Sequence, residues 1–545
     1  MSTSAPKAHP FRHVARVVIE FTTPFHVGTG EGGYGADALV VTDANGLPAL
    51  PGSSLAGALR ATFQERVSAA FVAAGAPAAA ARKQAEDRTN QIFGHQTNDE
   101  GRGSRLSLTW AAIHDRNDQP VEGLWPRTSL TNDPVLNEAL GLRIRDHVRL
   151  THRGAAAHQG KFDDSPVAAG HRFTFELELV SHLKDDQDWK DLLATLTSGV
   201  LRLGGKSRRG YGAFKVERIR ARSFHLGDRQ DFADYAAHPA HLEPPKSGPA
   251  QAASSPPPPD PTQWPPTLEH FPLPPPSPPP GSVTITLRLK PRGYWMFGGG
   301  EDVHAAAGKP ADMAPLREER IVWNGSLGRV EDKLLLLPGS AIKGALSHRL
   351  AFHRNRLALR FADDCTVAGN CPNDSDGHRV AQSALERITG IHNDAVRDLF
   401  GFVAEGQADV SEEQAARGRV LIDDLYWTAA QPSDQLIPHV SIDRFTGGAA
   451  DSKLFCERPL WQGDFPELKL TILDANRLPL TTRQALQAAL ADLAQGRLAL
   501  GAGAGRGLGY FEPKAGAAKP GERSPDDDWF NQDATPLNTP AHASA

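Results

Sequence analysis

Cations set among glycines are the first candidates for chemistry in this chain. The segment LRLGGKSRRGYGAFKV carries Gly204, Gly205, Gly210 and Gly212 together with Arg202, Lys206, Arg208 and Arg209. Glycine lets a backbone approach a ligand closely and the cations neutralise phosphates, so this loop suits nucleic acid better than a small apolar ligand; a tight turn with solvated charge is the alternative. A second loop, LALGAGAGRGLGYF, keeps Gly501, Gly503, Gly505, Gly507 and Gly509 but only Arg506. Neither holds the GxxxxGK[ST] pattern of a P-loop, which argues against nucleotide hydrolysis. GLPALPGSSLAGALR places a hairpin turn directly before a helix start. Backbone N–H groups and the positive end of the helix dipole offer a phosphate site there beside Ser53, Ser54 and Arg60, with Lys343 in the matching segment; an ordinarily capped helix is the other reading. Arg143, Arg145, Arg149 and Arg153 fall close together and are read as phosphate contacts. Cys365, Cys371 and His378 share one loop, where zinc needs a fourth ligand from Asp376, His392 or Cys456; free cysteines are the default.

The elements that must hold these loops occur twice. HVARVVIEFTTPFHVGTG and DALVVTDANGLPALPGSSLAGALRATFQERV in the first half are matched by SVTITLRLKPRGYWMFGGG and RIVWNGSLGRVEDKLLLLPGSAIKGALSHRLAF in the second. Pro51 and Pro338, Phe93 and Phe400, His147 and His439, and Gly212 and Gly509 follow in one order at a nearly constant separation, which marks a duplicated domain with loop insertions. Each half reads as a strand, a glycine turn, a hairpin, a helix opening at PGSS or PGSA, further strands, another helix, and a glycine-rich loop entering a strand. The alternation of Ala15, Val17, Ile19 and Phe21, and more strongly of Phe173, Phe175, Leu177 and Leu179, predicts strands. Leu55, Leu59 and Phe63 predict a helix with Ser53 or Ser54 at its N-cap. The fold class is α+β, and a ferredoxin-like βαββαβ core is the simplest arrangement with that rhythm.

At 545 residues the chain has room for roughly two to four domains. Lys+Arg 59 against Asp+Glu 64 gives a net charge of −5, so any nucleic-acid binding must come from local patches. Three cysteines are too few for a disulfide framework and favour a reducing cytosol. No apolar run approaches a membrane span, and the start lacks the apolar core of a signal peptide, so a cytoplasmic location without a membrane is expected. Proline piles up over 237–281, which predicts a stiff spacer between a first domain at 1–236 and a second at 282–512; residues 513–545 read as a disordered tail.

The order HxGxG, PGSSxxGxLR, FG and a closing GGxxxRGxG loop, looser in the second half, resembles the RAMP superfamily of CRISPR proteins, and within it the backbone subunits of type III effector complexes. The resemblance covers most of 11–220 and 282–512. It implies two fused modified RNA-recognition domains that grip a guide RNA (crRNA) and line up along it with other type III effector subunits in antiviral defence. It also implies a thumb hairpin in each half, DHVRLTHRGAAAHQGKFDDSPVAAGHRFTFELEL and HVSIDRFTGGAADSKLFCERPLWQGDFPELKLTI, projecting between bases of the guide–target duplex.

In that family an aspartate after the first glycine turn acts in metal-dependent cleavage of target RNA, and Asp37 in EGGYGADALVV matches its place. It would hold a divalent cation, Mg or Mn, or orient a 2′-hydroxyl for attack on its own phosphate. His26 close by is expected to be structural. The second half departs from the pattern, because alignment to the strand puts Arg320 near the place of Asp37, leaving Asp302, Asp312, Glu318 and Glu319 as substitutes. A non-catalytic scaffold that binds crRNA and neighbouring subunits is one alternative to an endoribonuclease. A metal-independent guide-processing ribonuclease is another.

Overall fold

The computed structural model of the chain describes residues 9–30, 39–97, 100–141, 143–151, 154, 156–244, 263–300, 310–360, 388–403, 415–427, 432–514 and 529. Asp37, Arg153, Asp302, Cys365, Cys371, Asp376 and His378 lie outside the described residues.

In the first half β1 (Phe11–Phe21) runs between β3 (Arg172–Ser181) and β4 (Phe214–His225), antiparallel to both, and β2 (Leu106–Leu108) pairs with the far edge of β3. Register sets Val17 opposite both Phe175 and Ile219, so the residues of period two on these strands share one face. That face packs on Leu55, Leu59 and Phe63 of α1 (Gly52–Ala73) and on Leu192 and Leu196 of α3 (Gln187–Leu196); α2 (Ala78–Phe93) adds Ala85 and Ile92. Removing the fully buried Phe63 ring would cost about 3–5 kcal/mol.

The alternation along β1 is weak because its other face is covered as well. Val14 packs with Phe224 and Leu268, and Arg16 is held by Glu176 and by the carbonyls of Pro239 and His241. This corrects the reading of 237–281 as a plain spacer. His238 bonds to Glu176 and Thr267, and β5 (Glu269–Phe271) joins the outer edge of β4, an edge position that proline-rich chain tolerates. Residues 245–262 lie outside the described residues.

The second half repeats the strand order in shorter pieces. β6 (Val283–Leu287) and β7 (Leu289–Pro291) together take the place of β1; β9 (Leu468–Ile472) lies beside β6 with β8 (Val420–Leu421) beyond it, and β10 (Phe511–Pro513) lies beside β7. Its core gathers Trp295, Trp427 and Phe465 with residues of α4 (Gly339–Leu357), α5 (Asp394–Phe400) and α6 (Leu480–Ala494). Trp529 is buried in the same core and its carbonyl accepts from Arg483, which corrects the reading of 513–545 as wholly disordered.

Both thumb hairpins form, but not with the strands expected. Arg145–Leu150 pairs with Ala156–Asp164, and Ile437–Ile442 with Ala449–Glu457. The alternating runs at Phe173–Leu179 and Leu468–Ile472 belong to the main sheets instead. Alternation reports one-sided burial, and the thumb strands are largely exposed.

The halves meet along an ionic seam. Arg145, 3% exposed, donates to both oxygens of Glu318 at 2.6 and 2.8 Å and to Asp424 at 2.6 Å. Arg202 makes a two-pronged bond to Asp423 at 2.9 and 3.0 Å. The long hairpin Arg317–Asn324/Leu327–Leu337 reaches across, where Trp323 donates to the Gly170 carbonyl at 2.7 Å and the Ile321 N–H to that of Ala169 at 2.9 Å.

Candidate nucleic-acid interface

Each glycine-rich loop is laid against the end of its own first strand by the same bonds. Gly205 N–H donates to the His26 carbonyl at 2.7 Å and Gly212 N–H to that of Pro24 at 2.8 Å; Ala502 N–H donates to Met296 at 2.7 Å and Gly509 N–H to Tyr294 at 2.9 Å. Gly204 (φ +84°) and Gly501 (φ +87°) lie where a Cβ would strike those His26 and Met296 carbonyls. Their glycine requirement is therefore a close approach to the chain's own backbone, the tight-turn reading.

In the first half this turn, the Val27–Gly28 strand end and the first turn of α1 frame an open cleft of roughly 390 Å³ lined by Gly28, Ser54, Arg202, Gly204 and Gly205. The second half completes it with Arg417, which pairs with Glu65 at 3.5 Å. Pro51 rather than a serine stands at the N-cap of α1, with no side-chain cap, so Ser53 and Ser54 lie inside the first turn. Sequence spacing alone could not separate these registers, because proline also opens helices readily. Arg60 turns away to bond Gly94 O at 2.8 Å and Asn90 at 2.5 Å, tying α1 to α2.

The predicted cations divide into two groups. Arg143 is held by Glu138 and Glu319, both at 2.6 Å, and Arg145 by Glu318 and Asp424, so both serve the seam and not a phosphate. Lys206 pairs with the buried Asp164 at 2.6 Å and Arg506 with Glu457. Arg149 is exposed on the first thumb.

Arg208, Arg209 and Lys343 form the other group, gathered from both halves. Arg208 Nε donates to Gly418 O at 2.6 Å while its Nη1 is buried with no partner among the described residues. Arg209 is exposed beside them, over the Phe162 ring. Among the described residues Lys343 Nζ has only the Phe400 carbonyl at 3.5 Å and the face of that ring. Burial, then the charges of Arg209 and Arg208, bring the Lys343 amine down to about 8; burial, then Arg417, bring Arg208 to about 9. Like charges held this close favour an anion among them.

Two acids that sequence reasoning missed fix the thumbs. Asp164 accepts from His147 Nε2 at 3.1 Å, from Lys206 and from the Tyr211 hydroxyl at 3.1 Å. Burial alone would raise its pKa, but His147 and Lys206 hold it well below the usual carboxylate range. Glu457 does the same work with His439 at 3.1 Å and Arg506. The matched positions of His147 and His439 in the repeat were the available signal.

Backbone register identifies the counterpart of Asp37. Thr29 N–H donates to Leu39 O at 3.0 Å and Val41 N–H to Val27 O at 2.8 Å; Gly299 N–H donates to Ala314 O at 2.8 Å and Leu316 N–H to Phe297 O at 2.7 Å. Leu39 thus corresponds to Ala314. Asp37 stands two residues before the first and Asp312 two before the second, which corrects the alignment that set Arg320 there. Asp312 is exposed, and its Oδ2 accepts from Cys456 N–H at 2.7 Å, next to the thumb anchor Glu457. Among the described residues no group of three or more His, Cys, Asp or Glu is placed to hold a metal ion. His26 is buried, and His392 lies in a short turn before α5.

Two α+β units, each with a thumb hairpin and a glycine-rich turn, together frame a cleft lined by Arg202 and Arg417. A family model described as the RAMP superfamily matches residues 18–215 and 288–512, well over half of the chain. The chain belongs to the RAMP superfamily, a family known for CRISPR-associated, RNA-binding proteins. No curated protein matches it. Among the described residues no helix is long and apolar enough to cross a membrane.

Proposed function

We propose that the chain is a crRNA-binding backbone subunit of a type III CRISPR effector that cleaves complementary target RNA in each half, through Asp37 and Asp312. The observation that carries this reading is the shared register of the two aspartates, each two residues ahead of the strand residue that bonds to the rim of its half's glycine turn. Arg208, Arg209 and Lys343 would hold guide phosphates, and the thumbs, fixed at their bases by Asp164 and Glu457, would separate successive segments of the duplex. A divalent cation at either aspartate would supply charge neutralisation at the scissile phosphate. The aspartate itself would orient the ribose 2′-hydroxyl for attack on the adjacent phosphate. Cys456 meets Asp312 through its backbone N–H.

The test uses full-length protein loaded with a guide and offered a complementary RNA. Asp37→Ala should remove one cut and Asp312→Ala a different one, each by roughly a hundredfold or more, with guide binding kept. EDTA, or a 2′-deoxy substitution at the scissile nucleotide, should block both. A double variant that cuts as before moves the active site elsewhere. If the wild-type protein binds guide and target without cutting, the scaffold reading replaces this one, and cutting of guide precursor in EDTA would point to guide processing.

A further inference from the structure

The face of the first sheet that is turned away from α1 and α3 carries arginine where a covered face would ordinarily be apolar. Ile219 of β4 lies in the core and Ala221 packs against it, so Arg218, Arg220 and Arg222 point to the other side. Register sets Arg220 opposite Arg16 and Arg222 opposite Val14 on β1. Like charges directly opposite one another across a strand pair are unfavourable without an acceptor between them. Along β4 the arginines recur about every 6.8 Å, a spacing that an extended single strand can follow phosphate by phosphate.

The oxygens around three of these arginines come from one covering segment. Arg222 pairs with Asp231 at 2.9 Å and Asp234 at 2.7 Å, both on the short helix Arg229–Ala236. Arg16 donates to the carbonyls of His241 at 2.8 Å and Pro239 at 3.0 Å, and Arg220 to that of Leu268. Arg218 is different, because its partner Asp118 belongs to the body of the first half, as does Glu176, which also holds Arg16. Beneath the cover Phe224 is fully buried, with the Arg222 guanidinium 4.8 Å from its ring centre and the Tyr235 ring of the helix at 5.6 Å.

The cover is lightly held. Its helix buries no residue of its own, leaves Phe232 55% exposed and has 8 residues, too few to persist alone in water. Besides the Arg222 pairs, it is fastened by the Tyr235 hydroxyl donating to Glu178 at 3.0 Å and, just beyond its end, by His238 on Glu176 at 2.8 Å. Charges set against charges gain little from burial and leave both surfaces compatible with water when they part, so this contact opens more readily than an apolar one.

We propose that this face of the first sheet is a site for single-stranded RNA apart from the cleft, closed in the free protein by the helix Arg229–Ala236 and the turn after it. With the cover lifted, Arg16, Arg220 and Arg222 take phosphates and Phe224 offers its ring to a base. Glu176 and Glu178 on β3 bound the site and keep the strand along β4. An acidic protein segment would use the arginines but not the ring. Closure weakens RNA binding in proportion to the fraction of molecules that are shut, so loosening the cover tightens binding without altering any contact to the RNA.

Fluorescence anisotropy of a labelled oligouridine with the full-length, nuclease-treated protein tests this. Asp231→Asn combined with Asp234→Asn keeps the shape of the helix and removes its charge; it should tighten binding by roughly tenfold. Adding Arg220→Gln and Arg222→Gln should abolish the gain. In the wild-type protein saturating oligouridine should speed amide exchange over 229–236 while β1 and β4 stay protected, which separates opening from unfolding. Three results overturn the proposal: an Asp231→Asn, Asp234→Asn protein that binds no more tightly, a gain that survives loss of the two arginines, or exchange over 229–236 that RNA leaves unchanged. A gain that disappears when Arg208 and Arg209 are replaced instead belongs to the cleft and overturns it equally, and polyglutamate competing as strongly as oligouridine would make an acidic protein the ligand in place of RNA.

Discussion

Lys343 is the residue whose chemistry reads out most directly in solution. Its amine, about 8, lies below the ordinary lysine value because burial and the neighbouring Arg209 and Arg208 disfavour the charged form. A bound phosphate reverses that balance, so RNA should bind best below pH 8 and lose affinity as the amine deprotonates above it. Binding above pH 8 should take up a proton, seen as a binding enthalpy that depends on the ionisation enthalpy of the buffer. In the free protein the sign is opposite. The unfolded chain holds the lysine proton up to its ordinary 10.5, so between about 8 and 10.5 this group makes folding stability rise with pH. Lys343→Gln should flatten both profiles in this window; profiles unchanged by the substitution would remove Lys343 from the site. Arg208 faces the same cluster and, as a guanidinium, keeps its charge across this range, so the pH-dependent loss belongs to Lys343.

At the scale of elements, the glycine-rich loop of the first half divides its cations between two tasks. Lys206 reaches back to Asp164 and ties the loop to the thumb strand Ala156–Asp164, whereas Arg208 bonds to Gly418 of the second half and Arg209 lies over Phe162, both close enough to lower the Lys343 amine. Replacing Arg208 and Arg209 together should flatten the salt dependence of guide binding by roughly 0.7 logarithmic units per lost phosphate contact. Lys206→Ala should leave that slope nearly unchanged and instead speed amide exchange in the thumb strands, as measured by mass spectrometry. The reverse outcome would exchange the two roles. This division shows where sequence reasoning stops. Spacing identified the duplicated domains, the α+β class, the opening of α1 near Pro51 and both glycine-rich loops, because periodicity and turn chemistry are local. It misassigned the thumb return strands to Phe173–Leu179 and Leu468–Ile472, since strong alternation belongs to strands with one buried face. It read Arg143 and Arg145 as phosphate ligands because their partners Glu318, Glu319 and Asp424 are distant in sequence. The counterpart of Asp37 was hidden by a longer hairpin in the second half, and only the backbone bonds of Gly299 and Leu316 reveal Asp312.

At the scale of the molecule, the seam makes two repeats into one binding unit. Asp424 carries two of its contacts, the salt bridge to Arg145 and the backbone bond to Gly210 of the glycine-rich loop, and within its own half accepts from Gly339 N–H at 2.8 Å at the start of α4. Burial pushes the Asp424 carboxyl up and Arg145 opposes that, so the pair depends on both members. Removing Arg145 leaves Asp424 buried without its cation and Glu318 with Arg143 at 3.7 Å, which should cost about 3–5 kcal/mol. Because Arg208 lies on one side of the seam and Lys343 and Arg417 on the other, the same change should weaken guide binding although Arg145 faces no ligand. Limited proteolysis within 245–262 separates the covalent from the noncovalent contribution. The nicked wild-type protein should elute as one particle and still bind guide RNA, while nicked Arg145→Ala should part into two fragments that bind it poorly. If the nicked wild-type protein falls apart under the same conditions, the proline-rich segment and not the seam holds the halves together, and the cleft completed by Arg417 forms only while that segment is intact.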